Sequence, residues 1–200
     1  MPKEPAVLGI VLSGGAGRRV DGQDKGLLVY KDQPLVAHVL GKLKPQVEQI
    51  CISIHRNQET YQRFGFPITL DQSVEFDGPM AGMTSVLTAF DSENTLFNFS
   101  HLVVAPCDVP HLPSDYVIRL MQALGTHKAD CAVVHDGERR QNLHCLFTAK
   151  MAPSLLDFYS QGGRAMHQWF NSVTTVDADF SDCSDNFDNF NTLKDLAELS

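Results

Sequence analysis

Short apolar runs alternate along this chain with longer segments in which apolar residues recur every three or four positions. Runs of strand length cover residues 7–13, 49–55, 67–72, 101–108, 129–137 and 142–148. Helical spacing covers residues 34–47, 79–90, 114–125 and 154–162. Because strands that alternate with helices form mostly parallel sheets covered on both faces, the pattern predicts a three-layer α/β/α fold. The 200 residues suit one such domain, spanning residues 1–200.

Residues with special backbone preferences mark the expected helix ends. Pro34 suits the first turn of one helix, and Gly78 followed by Pro79 suits the start of another. Ser114 is expected to cap the helix that follows it, and Gly125 is expected to end that helix.

The segment LSGGAGRRVDGQDKG, at residues 12–26, is rich in glycine and carries positive charge. Glycine lets another molecule approach the backbone closely, and Arg18, Arg19 and Lys25 add cations. Ligands of α/β folds bind at the carboxyl ends of strands, where this loop and the later sequence PCD (106–108) both fall. The sequence therefore predicts an anion site at that edge of the sheet.

Two common phosphate-binding motifs do not fit this loop. The dinucleotide fingerprint GxGxxG fails because Val20 stands where its last glycine belongs. The P-loop motif fails because Gln23 follows Gly22 in place of lysine. A tight strand-to-helix turn with surface arginines remains an alternative to a phosphate site.

Composition narrows the class of protein. An apolar fraction of 43% and a charged fraction of 20% are typical of a soluble globular domain. The net charge of −8 argues against nucleic-acid binding and makes a local group of cations more informative. No segment has the length of a membrane span, and the five scattered cysteines lack a CxxC pair, so we expect reduced thiols in a cytoplasmic protein. The acidic segment 177–191 contains three phenylalanines and is expected to pack.

The glycine loop resembles a known signature. LSGGAGRRVDGQDKGL is similar to LAGGxSxRMGxDKxL of the nucleotidyltransferase superfamily, and most of all to the molybdenum cofactor guanylyltransferases. Three more motifs match in order: LDQSVEFDGPMAGM (70–83), PCDVP (106–110) and FDNFNTLKDL (187–196). Together they cover essentially the whole chain. The resemblance implies a Rossmann-like fold of the nucleotide-diphospho-sugar transferase type.

That family's activity is the function that the resemblance implies. GMP would pass from GTP to the terminal phosphate of molybdenum-bearing molybdopterin, with Mg²⁺ as cofactor and pyrophosphate as second product. The expected partners are GTP, molybdopterin, cofactor-assembly proteins and the recipient apo-molybdoenzymes, and we expect a monomer. The sequence GPMAGM (78–83) resembles the corresponding segment of the guanine-specific members of the family. A cytidylyltransferase, a transferase for another phosphate acceptor and a non-catalytic nucleotide-binding module remain alternatives.

The resemblance also implies the site residues. Backbone N–H groups of the glycine loop would contact the nucleotide and cradle its phosphates. The expected catalytic residues are Arg19, Lys25 and Asp108, with Asp108 as the metal ligand. The expected nucleotide-binding residues are Leu12, Ser13, Gly14, Gly15, Lys25, Ser53, Asp71, Gly78 and Asp108, and Asn189 and Asn191 are expected to bind the acceptor.

Asp108 also stands out without the resemblance. It directly follows an apolar run, and a buried acid is costly unless a cation or metal lies beside it. Mg²⁺ often takes one or two carboxylates together with substrate phosphates. Turn residues are the plainer alternatives for Asp108 and for Asp71.

Four positions depart from the family pattern. Ser13 replaces the commoner alanine, and Val20 replaces methionine. Ser53 stands where relatives often carry an asparagine near the base, and Asn142 stands where proline follows glutamine in relatives.

Overall fold

A seven-stranded sheet forms the centre of the computed structural model, which describes residues 6–14, 23–71, 78–188 and 190. Its strands are β1 (Val7–Ser13), β4 (Gln49–Ile54), β5 (Ile68–Leu70), β6 (His101–Pro106), β7 (Cys131–His135), β8 (Arg140–Thr148) and β9 (Thr175–Asp179). Two short strands, β2 (Val29–Tyr30) and β3 (Gln33–Pro34), form a separate hairpin. The sheet order is β5-β4-β1-β6-β8-β7-β9, and β8 alone runs antiparallel to its neighbours. The mostly parallel sheet is confirmed.

Helices cover both faces of this sheet. They are α1 (Leu35–Leu43), α2 (Gln58–Gln62), α3 (Pro79–Ser92), α4 (Tyr116–His127), α5 (Ala152–Ser160) and α6 (Met166–Phe170). Helices α1, α2 and α4 pack on one face, and α3, α5 and α6 pack on the other. Alternate side chains of β1 point to opposite faces of the sheet. Val11 packs in the core with α1, α2 and α4, and Ile10 packs in the core with α3, α5 and α6. Burial on both faces explains why this strand is apolar throughout.

Two helix ends differ from the expectation. The predicted helix at residues 114–125 begins at Tyr116 and continues through Gly125 to His127, so Ser114 is not its cap. Lys128 ends it in the left-handed conformation, at φ 51°, and its N–H bonds to the carbonyl of Gly125. The helix predicted to end at residue 47 ends at Leu43, where a 3-10 turn begins around Pro45.

The acidic segment packs as expected within the residues described. Phe180, Phe187 and Phe190 are all buried. Arg119 of α4 lies 4.0 Å from the ring centre of Phe180 and donates to Asp182 over 2.7 Å. A cation that binds an acid and stacks on its neighbouring ring holds this segment against α4. The sequence pattern did not predict β9 or the 3-10 segment Ser181–Phe187.

All five cysteines are free thiols, and Cys183 is the most exposed of them. No helix within the described ranges has the length and apolar character needed to cross a membrane.

Two glycines provide a matched test of the packing between β1 and α1. A Cβ on Gly9 would lie 2.9 Å from Cδ2 of Leu43, whereas a Cβ on Gly41 would meet nothing within 4 Å. We therefore expect Gly9→Ala to lower the free energy of unfolding by about 1 to 3 kcal/mol through overpacking. Gly41→Ala should raise it by about 0.5 to 1 kcal/mol, because alanine is the better helix former. Urea unfolding measures both, and equal midpoints for the two variants would contradict the close contact.

Candidate active site

The carboxyl ends of the parallel strands meet at one edge of the sheet. Leu12 of β1 is in register with Pro106 of β6, and the N–H of Cys107 donates to the carbonyl of Leu12 over 3.0 Å. On the other side of β1, the N–H of Asp71 donates to the carbonyl of Ile54 over 2.7 Å. Strand pairing therefore gathers three of the predicted site segments at this edge.

An ion pair joins the glycine loop to the end of β6. Lys25 Nζ donates to Oδ2 of Asp108, a residue 83 positions away along the chain. Their side chains are only 23% and 15% exposed, so water screens this pair less than a surface pair. The other oxygen, Asp108 Oδ1, is buried and has no hydrogen-bond donor within the part of the chain that is described. One carboxylate thus binds a lysine through one oxygen, and its other oxygen has no partner from residues 6–14, 23–71, 78–188 and 190.

Asp24 organises the 3-10 turn Lys25–Leu27. Its Oδ1 accepts from the N–H of Gly26 at 3.2 Å and from the hydroxyl of Tyr61 at 2.8 Å. Its Oδ2 accepts from Asn57 Nδ2 at 2.9 Å. The Ser13 hydroxyl lies 2.5 Å from the Tyr61 hydroxyl. Burial raises the pKa of Tyr61 far above its usual range, so the phenol remains a donor.

Gly26 rests directly on these polar groups. A Cβ at this position would lie 2.1 Å from Ser13 Oγ and 2.5 Å from the Tyr61 hydroxyl. Glycine is therefore required here by close approach, and it lets the turn pack onto the end of β1.

An aromatic cluster brings Phe190 to the same edge. The ring of Phe190 lies 4.9 Å from that of Tyr30 and 5.9 Å from that of His111. The hydroxyl of Tyr30 and Nε2 of His111 are 3.2 Å apart. The N–H of Phe190 donates to the carbonyl of Asp108 over 3.0 Å, which places Phe190 beside the ion pair.

The start of α3 closes the side of the site next to β4. Ser53 is fully buried, and a Cβ added to Gly82 of α3 would lie 2.6 Å from Ser53 Oγ. Gly78 precedes α3 with φ 80°, a conformation that favours glycine, and among the described residues no side chain caps this helix start.

The chain matches a family model over most of its length. The MobA-like NTP transferase domain matches residues 9–176. This chain belongs to the MobA-like NTP transferase family. It is accordingly a nucleotidyltransferase by family, and the resemblance seen in the sequence motifs is confirmed.

Individual relatives agree with this membership. Molybdenum cofactor guanylyltransferase of Shewanella loihica is 36% identical over 178 residues, which cover 89% of this chain and 87% of that protein. The protein of the same name from Pasteurella multocida is 35% identical over 172 residues. The crystal structure of molybdopterin-guanine dinucleotide biosynthesis protein A from Archaeoglobus fulgidus superposes with a TM-score of 0.74, covering 96% of both chains at 21% identity. This structural likeness shows that the two share a fold.

The structure brings together many of the residues predicted for the nucleotidyltransferase site. Those at or beside the carboxyl edge are Leu12, Ser13, Gly14, Lys25, Asp71, Gly78 and Asp108. Ser53 is instead covered by α3, so its hydroxyl has no surface for a nucleotide to contact. Gly15, Arg18, Arg19, Asn189 and Asn191 lie outside the described residues, and their roles stay predictions.

Sequence reasoning missed Asp24, Asn57 and Tyr61. Asp24 lies inside the quoted glycine-loop motif, directly before Lys25. Its position in that motif was therefore a signal that it belongs to the site. Tyr61 lies on the five-residue helix α2, which is too short to show a helical period.

The carboxylate of Asp108 is also suited to bind the Mg²⁺ that the sequence resemblance implies. The described residues contain no group of three or more His, Cys, Asp or Glu side chains that could hold an ion by themselves. Mg²⁺ does not require such a group when substrate phosphates supply the remaining oxygens. The buried acceptor Asp108 Oδ1 suits that arrangement.

Cys107 lies beside the ion pair and provides a test of the local environment. Burial, with Asp108 adding to it, raises the pKa of this thiol to about 12, so at pH 8 only about 1 in 10,000 molecules carries the thiolate. We expect iodoacetamide at pH 8 to modify Cys183 and to spare Cys107 in the folded protein, with both modified in urea. Peptide mass spectrometry measures the ratio. Equal labelling of the two thiols in the folded protein would show that Cys107 is not enclosed.

Proposed function

We propose that this chain transfers GMP from GTP to the terminal phosphate of molybdenum-bearing molybdopterin, giving the guanine dinucleotide form and pyrophosphate. The observation that supports the proposal is the Lys25–Asp108 pair, because it sets a cation beside a carboxylate whose second oxygen has no donor among the described residues. Relatives at 35–36% identity bear the name molybdenum cofactor guanylyltransferase, which supports this choice of substrates.

The reaction requires little proton transfer from the protein. An oxygen of the acceptor phosphate attacks the α-phosphorus of GTP, and the bond from that phosphorus to the α–β bridging oxygen breaks. Phosphate monoesters lose their second proton near pH 6, so the attacking oxygen is already anionic at pH 7. Catalysis then depends on alignment and on stabilising negative charge.

Lys25 supplies that charge stabilisation. Its ammonium group has three donors, so it keeps the bond to Asp108 and donates to α-phosphate oxygens as well. Because Asp108 fixes the ammonium before the nucleotide arrives, less side-chain entropy is lost on binding. Arg19 is proposed to act on the leaving phosphates.

Asp108 Oδ1 would hold Mg²⁺, and the ion would supply charge neutralisation on the phosphates. Asp71, Gly78 and the backbone of Gly14 are proposed to contact the nucleoside. Asn189 and Asn191 are proposed to hold the acceptor. That the protein is a cytoplasmic monomer stays a prediction. Its contacts with cofactor-assembly proteins and apo-molybdoenzymes also stay predictions.

Nucleotide selectivity tests the proposal directly. GTP, CTP, ATP and UTP are each titrated with and without Mg²⁺ while the melting temperature is followed. A ligand that binds only the folded state adds about RT ln(1 + [L]/Kd) to stability, so selectivity appears as a ranked shift. We expect GTP with Mg²⁺ to give the largest shift. A shift led by CTP would favour the cytidylyltransferase alternative. If the shift with GTP is the same with and without Mg²⁺, the metal site is contradicted.

Asp108→Asn removes the carboxylate charge and keeps the size of the side chain. We expect guanylyl transfer to fall by at least about 100-fold, since the charge that fixes Lys25 and would hold the metal is lost. Asp115→Asn is the matched control, because Asp115 is 53% exposed and faces Arg119 of α4 at 3.8 Å. Turnover with GTP and molybdopterin measures both. Wild-type turnover in Asp108→Asn would remove this residue from the site.

A further inference from the structure

A buried series of hydrogen-bonded side chains lies beneath the turn that carries Lys25. It consists of Ser13 at the end of β1, Tyr61 of α2 and the carboxylate of Asp24. Both Ser13 and Tyr61 are almost fully enclosed. Buried polar groups of this kind are costly unless every partner is in place, so the arrangement is sensitive to the loss of one member.

Counting protons determines the direction of the two hydrogen bonds that Tyr61 makes. A phenol has a single proton, and Tyr61 donates it to Asp24 Oδ1. The Ser13 hydroxyl must therefore donate to the oxygen of Tyr61. Tyr61 thus connects the end of β1 to Asp24 and cannot be replaced by a group that only accepts.

Asp24 in turn is held at both carboxylate oxygens. Tyr61 and the N–H of Gly26 bind Oδ1, and Asn57 binds Oδ2. The carbonyl of Asp24 also accepts from the N–H of Leu27 at 3.0 Å. Lys25 lies between Asp24 and Gly26, so the backbone on both sides of it is fixed.

Helix α2 provides Tyr61 and is itself tied to Asp24. The helix has only five residues, a length that is not stable alone. Asn57 adopts a left-handed conformation at φ 60° just before it, and its carbonyl accepts from the N–H of Tyr61 at 3.2 Å. Of the three donors to the carboxylate of Asp24 among the described residues, Asn57 directly precedes α2 and Tyr61 lies in its last turn.

We propose that Tyr61 is a positioning residue for Lys25: its hydroxyl holds Asp24, and through Asp24 it fixes the turn that aims the ammonium at Asp108 and at the substrate phosphate. This role in turnover rests on the guanylyl transfer proposed above. Because Tyr61 is fully enclosed, it offers no surface to a substrate, and it acts only through the turn.

Tyr61→Phe tests this role with a change of one oxygen atom. Among the described donors it leaves only the N–H of Gly26 on Asp24 Oδ1, and it removes the bond from the Ser13 hydroxyl to Tyr61. We expect kcat to fall by about tenfold, the usual consequence of losing a hydrogen bond to a charged group, while KM for GTP changes less than about threefold.

Tyr116→Phe is the matched control. Tyr116 is as buried as Tyr61, and its hydroxyl donates to a backbone carbonyl, that of Val104, over 2.6 Å. It is the first residue of α4, its side chain lies in the core, and within the described part of the chain it has no bond to the turn of Lys25. We expect this variant to lose stability and to retain the wild-type kcat.

A second measurement does not depend on the reaction. Trace labelling with acetic anhydride, followed by peptide mass spectrometry, gives the reactivity of Lys25 relative to the exposed Lys44. In Tyr61→Phe the ratio should rise by about threefold, because the turn opens locally and releases the amine, and in Tyr116→Phe it should not change.

The two measurements separate the two proposals. If the wild-type protein transfers no GMP but Tyr61→Phe raises Lys25 labelling, the proposed reaction is wrong and the positioning of Lys25 stands. If labelling is unchanged in Tyr61→Phe, Tyr61 does not position Lys25, whatever the turnover. Equal losses of kcat in Tyr61→Phe and Tyr116→Phe would likewise overturn the proposal, since they would show a general effect of a damaged core.

Discussion

The parallel pairing of β1 with β6 is the constraint on which the site depends. It aligns Leu12 with Pro106, so the loop that leaves one strand and the acid that follows the other emerge side by side. Lys25 and Asp108 meet across 83 positions for this reason. Both strands are buried on two faces, and a slip of register by one residue would exchange their apolar side chains between the two layers. The core thereby fixes the geometry of the charged edge.

Two carboxylates near Lys25 have different partners, and the difference matters for phosphate binding. Asp108 pairs with the lysine itself, whereas Asp24 is satisfied by a phenol, an amide and a backbone N–H. Neutral donors compensate the charge of Asp24 only in part, so Asp24 adds to the negative field of a chain that already carries −8. Lys25 is the charge that opposes this field where the glycine loop ends. A phosphate would therefore rely on the lysine being held in place more than on the overall potential.

The sequence was most informative where a pattern and a chemical need coincided. Strand β1 occupies residues 7–13 as predicted, because a run buried on both faces has no polar interruption. Asp108 was found because an acid after an apolar run needs a partner. Tyr61 could not be found in this way, since its bonds to Ser13 and Asp24 span 48 and 37 positions. Gly125 was misjudged because glycine preference is a weak signal, and Lys128 ends α4 instead.

On the side of the site next to β4, helix α3 and strand β4 approach each other closely. Gly82 has no room for a Cβ above Ser53, so the helix packs against the strand at the distance that a serine allows. An asparagine at this position would need more space than Ser53 takes. The hydroxyl of Ser53 is enclosed without a hydrogen-bond partner among the described residues, which is a cost that a nucleotide cannot relieve unless α3 moves. In this chain we therefore expect recognition of the base to fall to Asp71 and to the backbone at the uncapped start of α3, after Gly78.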